Sequence, residues 1–310
     1  MGRITRRVLT VIIVFVSLLF MAGCGAEEFR DVLKQLVEYH KWKDQEILFV
    51  RGSSDNKEIN EIYIMDVYGN NQRKLTQNSV EDKDPAWSAD RTMIVYATDN
   101  DPFDLAVMTP EGSFTGYLTS GVNEDFQPSW SPVAAQVAYT HYQNPNNQVY
   151  VKDANLSAPH TNLSDGQNDA FPDWSPDGSQ IVFMSQRSGG DWDIYVMDAS
   201  DGSIVRVLTD NSSDDRNPSW SPDGTQILYH SNEDGDYEIY VINADGTGNK
   251  KNLTNNTVFS DQSPDWSPDG EKILFQSDRD GNWEIYMMNP DGSEQIRLTD
   301  NEADDLSPCW

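Results

Sequence analysis

The chain has 310 residues, with 51 acidic side chains against 22 lysines and arginines and a formal net charge of −29. This surplus of negative charge excludes nucleic acid as a partner, because binding nucleic acid requires basic side chains that neutralise phosphates. A hydrophobic fraction of 37% with 11% aromatic residues still permits a packed core, so the acidity belongs on surfaces and loops.

Residues 1–23 have the pattern of a signal peptide. Three arginines precede an apolar run over residues 8–20, which is shorter than the roughly 20 residues of a membrane span. The run ends in Met21-Ala-Gly-Cys24, which resembles a bacterial lipobox with Met21 in place of the usual leucine. This resemblance implies that Cys24 is lipidated and becomes the first residue of the mature chain. The alternative is an uncleaved anchor helix; both readings tether the protein to a membrane, outside the cytoplasm.

Residues 24–45 are predicted to be a linker that contains one short amphipathic helix. Its apolar residues recur at helical spacing: Phe29, Val32, Leu33, Leu36 and Val37. Two roles fit this pattern, a spacer helix that packs on the following domain and a helix that binds a partner.

A Pro-x-Trp triplet then recurs six times. It ends at Trp87, Trp130, Trp174, Trp220, Trp266 and Trp310, with spacings of 43, 44, 46, 46 and 44 residues. A period of this length, made of short strands and tight turns, is typical of a β-propeller with four strands in each blade.

The repeating unit is built from short β-type runs between turn residues. In its clearest copy a Ser-Pro-Asp-Gly turn at 175–178 precedes runs at 180–185, 193–198 and 205–209. The predicted fourth strand of each copy carries a Leu-Thr or Leu-Ser pair, which begins at Leu75, Leu118, Leu163, Leu208, Leu253 and Leu298.

The first copy lacks a Pro-x-Trp strand of its own, whereas the chain ends on a spare one at 308–310. A C-terminal strand that completes the first blade would hide both sheet edges. We therefore predict an all-β fold over residues 46–310: a six-bladed β-propeller of four-stranded antiparallel blades, closed by the C-terminal strand joining the N-terminal blade.

The unit Pro-x-Trp-Ser-Pro-Asp-Gly, Ile-x-Phe-x-Ser, Ile-Tyr-x-Met-Asp, Leu-Thr resembles the WD40-like (PD40) repeat of TolB-type β-propellers, over about residues 46–310. The resemblance implies a non-catalytic protein of the bacterial cell envelope that binds other proteins. With the lipid anchor, the expected location is the periplasmic face of the outer membrane or the extracellular surface. In place of the α/β domain that precedes the propeller of TolB itself stand only residues 24–45.

Aligned loops give the candidate binding residues. Three residues before each of the six prolines the residue is aspartate: Asp82, Asp125, Asp169, Asp215, Asp261 and Asp305. One position earlier, four copies add a second carboxylate: Glu81, Glu124, Asp214 and Asp304. If the Pro-x-Trp strand is innermost, as the resemblance implies, these ten carboxylates meet at one mouth of the central channel. The invariant aspartates could instead build six identical corners. No metal is expected, although Ca²⁺ at the same carboxylates is possible.

Two functions follow from these features. The first is a non-catalytic lipoprotein scaffold, expected to be a monomer without a cofactor, that binds envelope proteins, including proteins with a basic segment. The alternative is a carbohydrate-active or other hydrolase or lyase that uses the channel-mouth carboxylates. A serine peptidase is excluded, because the chain has no Gly-x-Ser-x-Gly elbow.

Overall fold

A computed structural model describes residues 45–52, 59–155, 157–164, 167–187 and 189–310. Within it Glu46–Trp310 forms a compact unit. The predicted signal peptide, Cys24 and the amphipathic segment 29–37 lie outside the described residues, so those interpretations stay predictions. Across the described ranges, no helix is long and apolar enough to cross a membrane.

Six four-stranded antiparallel sheets form the blades. Blade 1 contains β24 (Asp304–Cys309), β1 (Glu46–Gly52), β2 (Glu61–Asp66) and β3 (Arg73–Lys74). Blade 2 contains β4 (Asp82–Trp87), β5 (Ile94–Asp99), β6 (Phe103–Met108) and β7 (Phe114–Tyr117). Blade 3 contains β8 (Glu124–Trp130), β9 (Gln136–Gln143), β10 (Asn146–Asp153) and β11 (His160–Asn162).

The second half of the ring repeats this plan. Blade 4 contains β12 (Asp169–Trp174), β13 (Gln180–Ser185), β14 (Asp193–Asp198) and β15 (Ile204–Val207). Blade 5 contains β16 (Asp215–Trp220), β17 (Gln226–Ser231), β18 (Glu238–Asn243) and β19 (Lys251–Asn252). Blade 6 contains β20 (Asp261–Trp266), β21 (Ile273–Ser277), β22 (Glu284–Met288) and β23 (Ile296–Arg297).

The C-terminal strand closes the ring, as predicted. β24 pairs antiparallel with β1, and Cys309 lies opposite Leu48. Each innermost strand contacts the next around the axis, and β24 contacts both β20 and β4. The innermost strands are the Pro-x-Trp strands. Because β24 pairs with β1 and packs between β20 and β4, the first and last blades meet and leave no open end of the ring.

The repeated tryptophans pack between neighbouring blades. Trp220 of blade 5, for example, shares one apolar cluster with Val182 and Val196 of blade 4. Five of the six tryptophans are at most 8% exposed: Trp87, Trp174, Trp220, Trp266 and Trp310. Their burial between blades explains why the repeat keeps a large apolar residue at this position.

The Leu-Thr pairs lie immediately after the fourth strands rather than within them. The leucines are buried, and the following hydroxyl accepts a hydrogen bond from a third-strand N–H, as Thr209 does from Ile194 at 2.8 Å. The same bond joins Thr299 to Ile285 at 2.9 Å. A side-chain hydroxyl thus takes the place of a backbone carbonyl where the fourth strand turns towards the next blade.

The Ser-Pro-Asp-Gly corners are the predicted tight turns. In each one the glycine N–H donates to the serine carbonyl, as from Gly178 to Ser175 at 2.8 Å. Gly178 has φ +69°, and a Cβ there would come within 2.2 Å of the Val133 side chain. The positive φ therefore favours glycine at this turn, although Arg91 adopts φ +57° at the equivalent position of blade 2.

Candidate functional site

Strand direction decides which loops share a face. In an antiparallel blade, the loop that leads into the first strand and the turn between the second and third strands lie at the same end. We call the end of the propeller formed by these loops the aspartate face, because each innermost strand begins there with the repeated aspartate or the residue before it. The turns between first and second and between third and fourth strands form the far face.

The six repeated aspartates lie at the same end of the six innermost strands. They are nearly inaccessible, at 0 to 3% exposed: Asp82, Asp125, Asp169, Asp215, Asp261 and Asp305. Burial raises the pKa of four of these carboxyl groups, those of Asp82, Asp215, Asp261 and Asp305. The repetition of these aspartates is visible in the sequence, whereas their burial is a finding of the structure.

In blades 1, 2 and 5 an asparagine four residues earlier holds the repeated aspartate. Asn211 donates from Nδ2 to Asp215 at 2.6 Å, while its Oδ1 accepts the N–H of Ser213 at 2.7 Å. Asn301 holds Asp305 in the same way at 2.8 Å. Asparagine, four residues earlier, therefore forms the side-chain turn that the sequence analysis considered for the aspartate itself. A repeated asparagine at this offset was the sequence signal for it.

In blades 1, 4 and 6 an arginine clamps the aspartate. Arg187 donates from Nη2 to both oxygens of Asp169 at 2.9 Å, and Arg279 reaches Asp261 at 2.9 and 3.1 Å. Arg51 donates from Nε and Nη2 to Asp305, both at 2.7 Å. Paired donors on a buried carboxylate fix the arginine and the start of the innermost strand together.

Each of these guanidinium groups also lies over two aromatic rings. Arg279 Cζ is 5.5 Å from the ring centre of Phe275 and 4.5 Å from that of Tyr286. The rings belong to the second and third strands and face each other in register. The complete arrangement is thus a carboxylate, a guanidinium and a ring pair, and it combines an ion pair with cation–π contacts.

The other three blades depart from this arrangement. In blade 3, His141 takes the place of the arginine, with Nδ1 2.6 Å from Asp125 Oδ1 and its ring 4.5 Å from that of Tyr150. Among the described residues of blades 2 and 5, no lysine or arginine forms an ion pair with Asp82 or Asp215. One oxygen of each of these two buried carboxylates, Oδ1, has no hydrogen-bond partner.

The second set of predicted carboxylates divides into two pairs. Asp214 and Asp304 accept the backbone N–H of Trp192 at 3.1 Å and of Trp283 at 3.0 Å, so both stabilise loops. Glu124 is exposed and Glu81 is half-buried. Glu81 and Glu124 are therefore the better candidates for contact with a partner, and a binding role for the full set of ten stays a prediction.

A row of buried acids on the third strands was missed by the sequence analysis. Glu61, Asp104, Asp193, Glu238 and Glu284 are each at most 3% exposed. The Glu238 carboxylate accepts two hydrogen bonds, one from the Asn256 N–H at 2.9 Å and one from the Thr254 hydroxyl. Burial, together with the nearby charge of Asp261, raises the pKa of Glu238 to about 7. The signal was an acidic residue two positions before the third-strand tyrosine.

Near the axis, the middle residues of two Pro-x-Trp triplets form a hydrogen-bonded belt. Asp173 accepts the Ser129 hydroxyl at 2.9 Å and the Trp220 N–H at 2.8 Å. Asp265 accepts the Ser219 hydroxyl at 3.1 Å and the Trp310 N–H at 2.9 Å. Burial raises the pKa of Asp173 to about 6 and that of Asp265 to about 7. Each of these two carboxylates therefore ties its own blade to both neighbouring blades.

Each innermost strand also carries a β-bulge just before its proline. The six residues have φ between 48° and 54°: Asp84, Gln127, Phe171, Asn217, Ser263 and Ser307. Four of their N–H groups donate to a side chain of the preceding blade, as from Ser307 to Gln276 Oε1 at 2.8 Å. Left-handed backbone at non-glycine residues costs energy. The contacts between blades hold it in place.

The buried acids make stability fall as the pH rises. The pKa of Glu238 is higher in the folded protein than its usual 4.5. Its stabilising contribution is therefore complete below about pH 4.5 and is lost as the pH rises through about 7. We expect a lower Tm at about pH 8 than at about pH 5.5. In Glu238→Gln, whose amide can still accept from Asn256 and donate to Thr254, the fall in the free energy of unfolding between these two pH values should be about 1 to 2 kcal/mol smaller. Calorimetry at the two pH values measures it; an unchanged pH dependence in the variant would contradict the assignment.

One further sequence expectation concerns metals. Within the described ranges, no group of three or more His, Cys, Asp or Glu side chains is arranged to hold a metal ion. Calcium binding at the repeated carboxylates stays a prediction.

Comparisons with known proteins agree with this architecture. The structure is similar to that of TolB from Acinetobacter baumannii, with a TM-score of 0.77 and 23% identity, covering 90% of this chain and 71% of that one. For a putative TolB from Agrobacterium tumefaciens the TM-score is 0.68 and the identity 20%, covering 84% of this chain and 90% of that one. For hydrazine synthase of Kuenenia stuttgartiensis the TM-score is 0.70 and the identity 16%, covering 85% of this chain and 46% of that one. The family model of the TolB beta propeller domain (PD40) matches residues 97–256 and 232–310. The chain therefore belongs to the PD40 family of TolB β-propeller domains.

Proposed function

We propose that this protein is a non-catalytic scaffold of the cell envelope that binds a basic segment of a partner protein on its aspartate face. The observation that carries the proposal is the charge of that face. Eight exposed carboxylates lie on its loops or beside them: Asp101, Glu124, Asp210, Glu233, Asp234, Asp280, Asp300 and Glu302. The described residues of the same loops contain two arginines, Arg187 and Arg279, and both are clamped to buried aspartates.

Apolar side chains on the same face support a protein partner over a free cation. Val122 is 92% exposed and Val258 is 70% exposed, and both lie in loops that lead into innermost strands. A basic segment with apolar side chains would match this mixture of carboxylates and exposed valines. The closed ring offers it a preorganised surface, so little conformational entropy is lost on binding.

The non-catalytic reading rests on how the repeated acids are used. The six aspartates are buried, and they hold loops and arginines rather than facing solvent in pairs. General acid–base chemistry requires carboxylates within reach of a substrate. The envelope location rests on the signal-peptide pattern of residues 1–23 and on Cys24. Fatty-acid labelling of the full chain and of Cys24→Ala tests the anchor; equal labelling would exclude Cys24.

Crosslinking in native cells, followed by pull-down at low and high salt, tests the binding face. The double variant Glu124→Gln/Glu302→Gln should weaken capture of a salt-labile partner about tenfold, because both side chains are exposed on the aspartate face. Its matched control is Glu111→Gln/Glu294→Gln, which removes two exposed charges from the far face. Equal capture by both double variants would reject the aspartate face as the binding surface.

A further inference from the structure

The carboxylate and ring pair that hold an arginine in three blades are also present in blade 5. Asp215 begins β16 as Asp169 begins β12 and Asp261 begins β20. Each lies opposite the last serine of its second strand, Ser231 in the case of Asp215. The rings of Tyr229 and Tyr240 face each other with centres 5.7 Å apart at 24°, against 5.6 Å and 30° for Phe275 and Tyr286 of blade 6.

Among the described residues, no guanidinium group lies at this place in blade 5. The residue two positions after the second-strand serine is Arg187 in blade 4 and Arg279 in blade 6, but Glu233 in blade 5. Glu233 forms an ion pair with Lys250, whose Nζ lies 5.8 Å from the Tyr240 ring. The same two positions in blade 6 hold Arg279 and Gln295, which are joined by a hydrogen bond of 2.7 Å. Blade 5 has thus exchanged the internal cation for an exposed acid.

Two fully buried polar groups of blade 5 lack, among the described residues, the partner that the repeat supplies elsewhere. Asp215 has only neutral neighbours, the hydroxyls of Ser231 and Thr209 and the amide of Asn211, whereas its counterpart in blade 6 accepts two bonds from Arg279. Tyr229 stands where blades 1, 4 and 6 have phenylalanine, and among the described residues its hydroxyl has no hydrogen-bond partner. Both residues are 0% exposed. The nearby charge of Asp215 helps to raise the pKa of Tyr229, after burial itself, so the two groups are neighbours.

In blades 1, 4 and 6 the arginine side chains are 15 to 22% exposed, so each runs from the surface to a buried aspartate. Asp215 and Tyr229 are 0% exposed, so an arginine from solvent reaches them only when Lys250 moves away from Glu233. In blade 5, Glu233 and Lys250 are 38% and 29% exposed on the same side. An incoming arginine would displace Lys250 from Glu233 and gain two acceptors, Asp215 and Glu233. A planar guanidinium suits two acceptors and a ring face better than an ammonium does.

We propose that blade 5 binds a guanidinium group from outside the chain, the arginine side chain of a partner protein, between the Asp215 carboxylate and the rings of Tyr229 and Tyr240. That the guanidinium group belongs to a partner protein rests on the proposed function, whereas the binding of a guanidinium group at this site does not depend on it. The site lies at the aspartate face, where the exposed acids would concentrate a basic segment.

Titration of the full chain with N-acetyl-arginine amide, followed by calorimetry, tests the site directly. Saturable binding is expected, with a dissociation constant on the order of 1 mM. N-acetyl-citrulline amide, which has the same shape without the charge, should not bind. Asp215→Asn should weaken arginine-amide binding at least about tenfold. Asp245→Asn, which removes an exposed carboxylate from the far face of the same blade, is the matched control and should bind as the unchanged protein does.

A second variant copies blade 6 into blade 5. Glu233→Arg/Lys250→Gln supplies the arginine and glutamine of positions 279 and 295, and it should raise the Tm and abolish binding of the amide. Equal binding by Asp215→Asn, equal binding of the citrulline amide, or no binding by the unchanged protein would each overturn the proposal. Amide binding that is lost in Asp215→Asn upholds the site even if no partner is captured. An aspartate face that captures a partner upholds the proposed function even if the amide does not bind.

Discussion

Deletion of residues 306–310 is expected to lower the Tm by about 10 °C or more, or to prevent folding. The deletion removes most of β24, the innermost strand of blade 1, and exposes the edge of β1. Leu48 and Val50 of that edge are 0 and 2% exposed in the closed ring. It also removes the Trp310 side chain, 5% exposed, and the N–H that Asp265 accepts. Loss of one buried tryptophan alone costs about 3 to 5 kcal/mol.

Complementation separates closure from a general loss of stability. A synthetic peptide of residues 301–310, added to the truncated protein, should restore much of the Tm because it can re-form the pairs of β24 with β1. Differential scanning calorimetry with and without the peptide measures the effect. A truncated protein that melts at the temperature of the full chain would disprove closure by β24.

Asp261→Asn is expected to destabilise the fold by about 3 kcal/mol, whereas Asp215→Asn should change stability by about 0.5 kcal/mol or less. Asp261 is fully buried and accepts two bonds from Arg279 and one from Asn256. An asparagine leaves the half-buried guanidinium without its counter-charge. Asp215 has no such cation, and its neighbours are the Asn211 amide and the neutral hydroxyls of Ser231 and Thr209. An asparagine can keep the bond from Asn211 and removes the cost of a buried charge.

Urea unfolding of the two variants at about pH 8 provides the comparison, since both carboxylates are then ionised to the greatest extent. The two positions are equivalent in the repeat, so differences in backbone conformation are minimised. Equal losses at both positions would show that the aspartate serves the backbone corner in every blade. A larger loss in Asp215→Asn would reverse the reasoning on the arginine clamps and weaken the inference for blade 5.

The turns and strands of the six blades could be predicted from the sequence because each depends on residues close together in the chain. A Ser-Pro-Asp-Gly turn joins its own serine and glycine, and a strand runs between two such turns. The Pro-x-Trp count then fixed the number of blades, and the spare C-terminal copy gave the partner of β1. The exact end of the fourth strand was less certain, since the threonine hydroxyl continues the bonding pattern beyond the strand.

What the repeated aspartates do was decided by the tertiary structure. A residue that recurs in every repeat shows that every blade needs it, but its environment comes from distant parts of the chain. Arg51 and Asp305, which form one clamp, are 254 residues apart in sequence. Burial of the aspartates and the choice of arginine, histidine or no cation in each blade follow from contacts across strands and loops. Because hydrogen bonds and charge pairs depend on proximity in space, the periodicity determined the fold and the packing determined the chemistry of its acids.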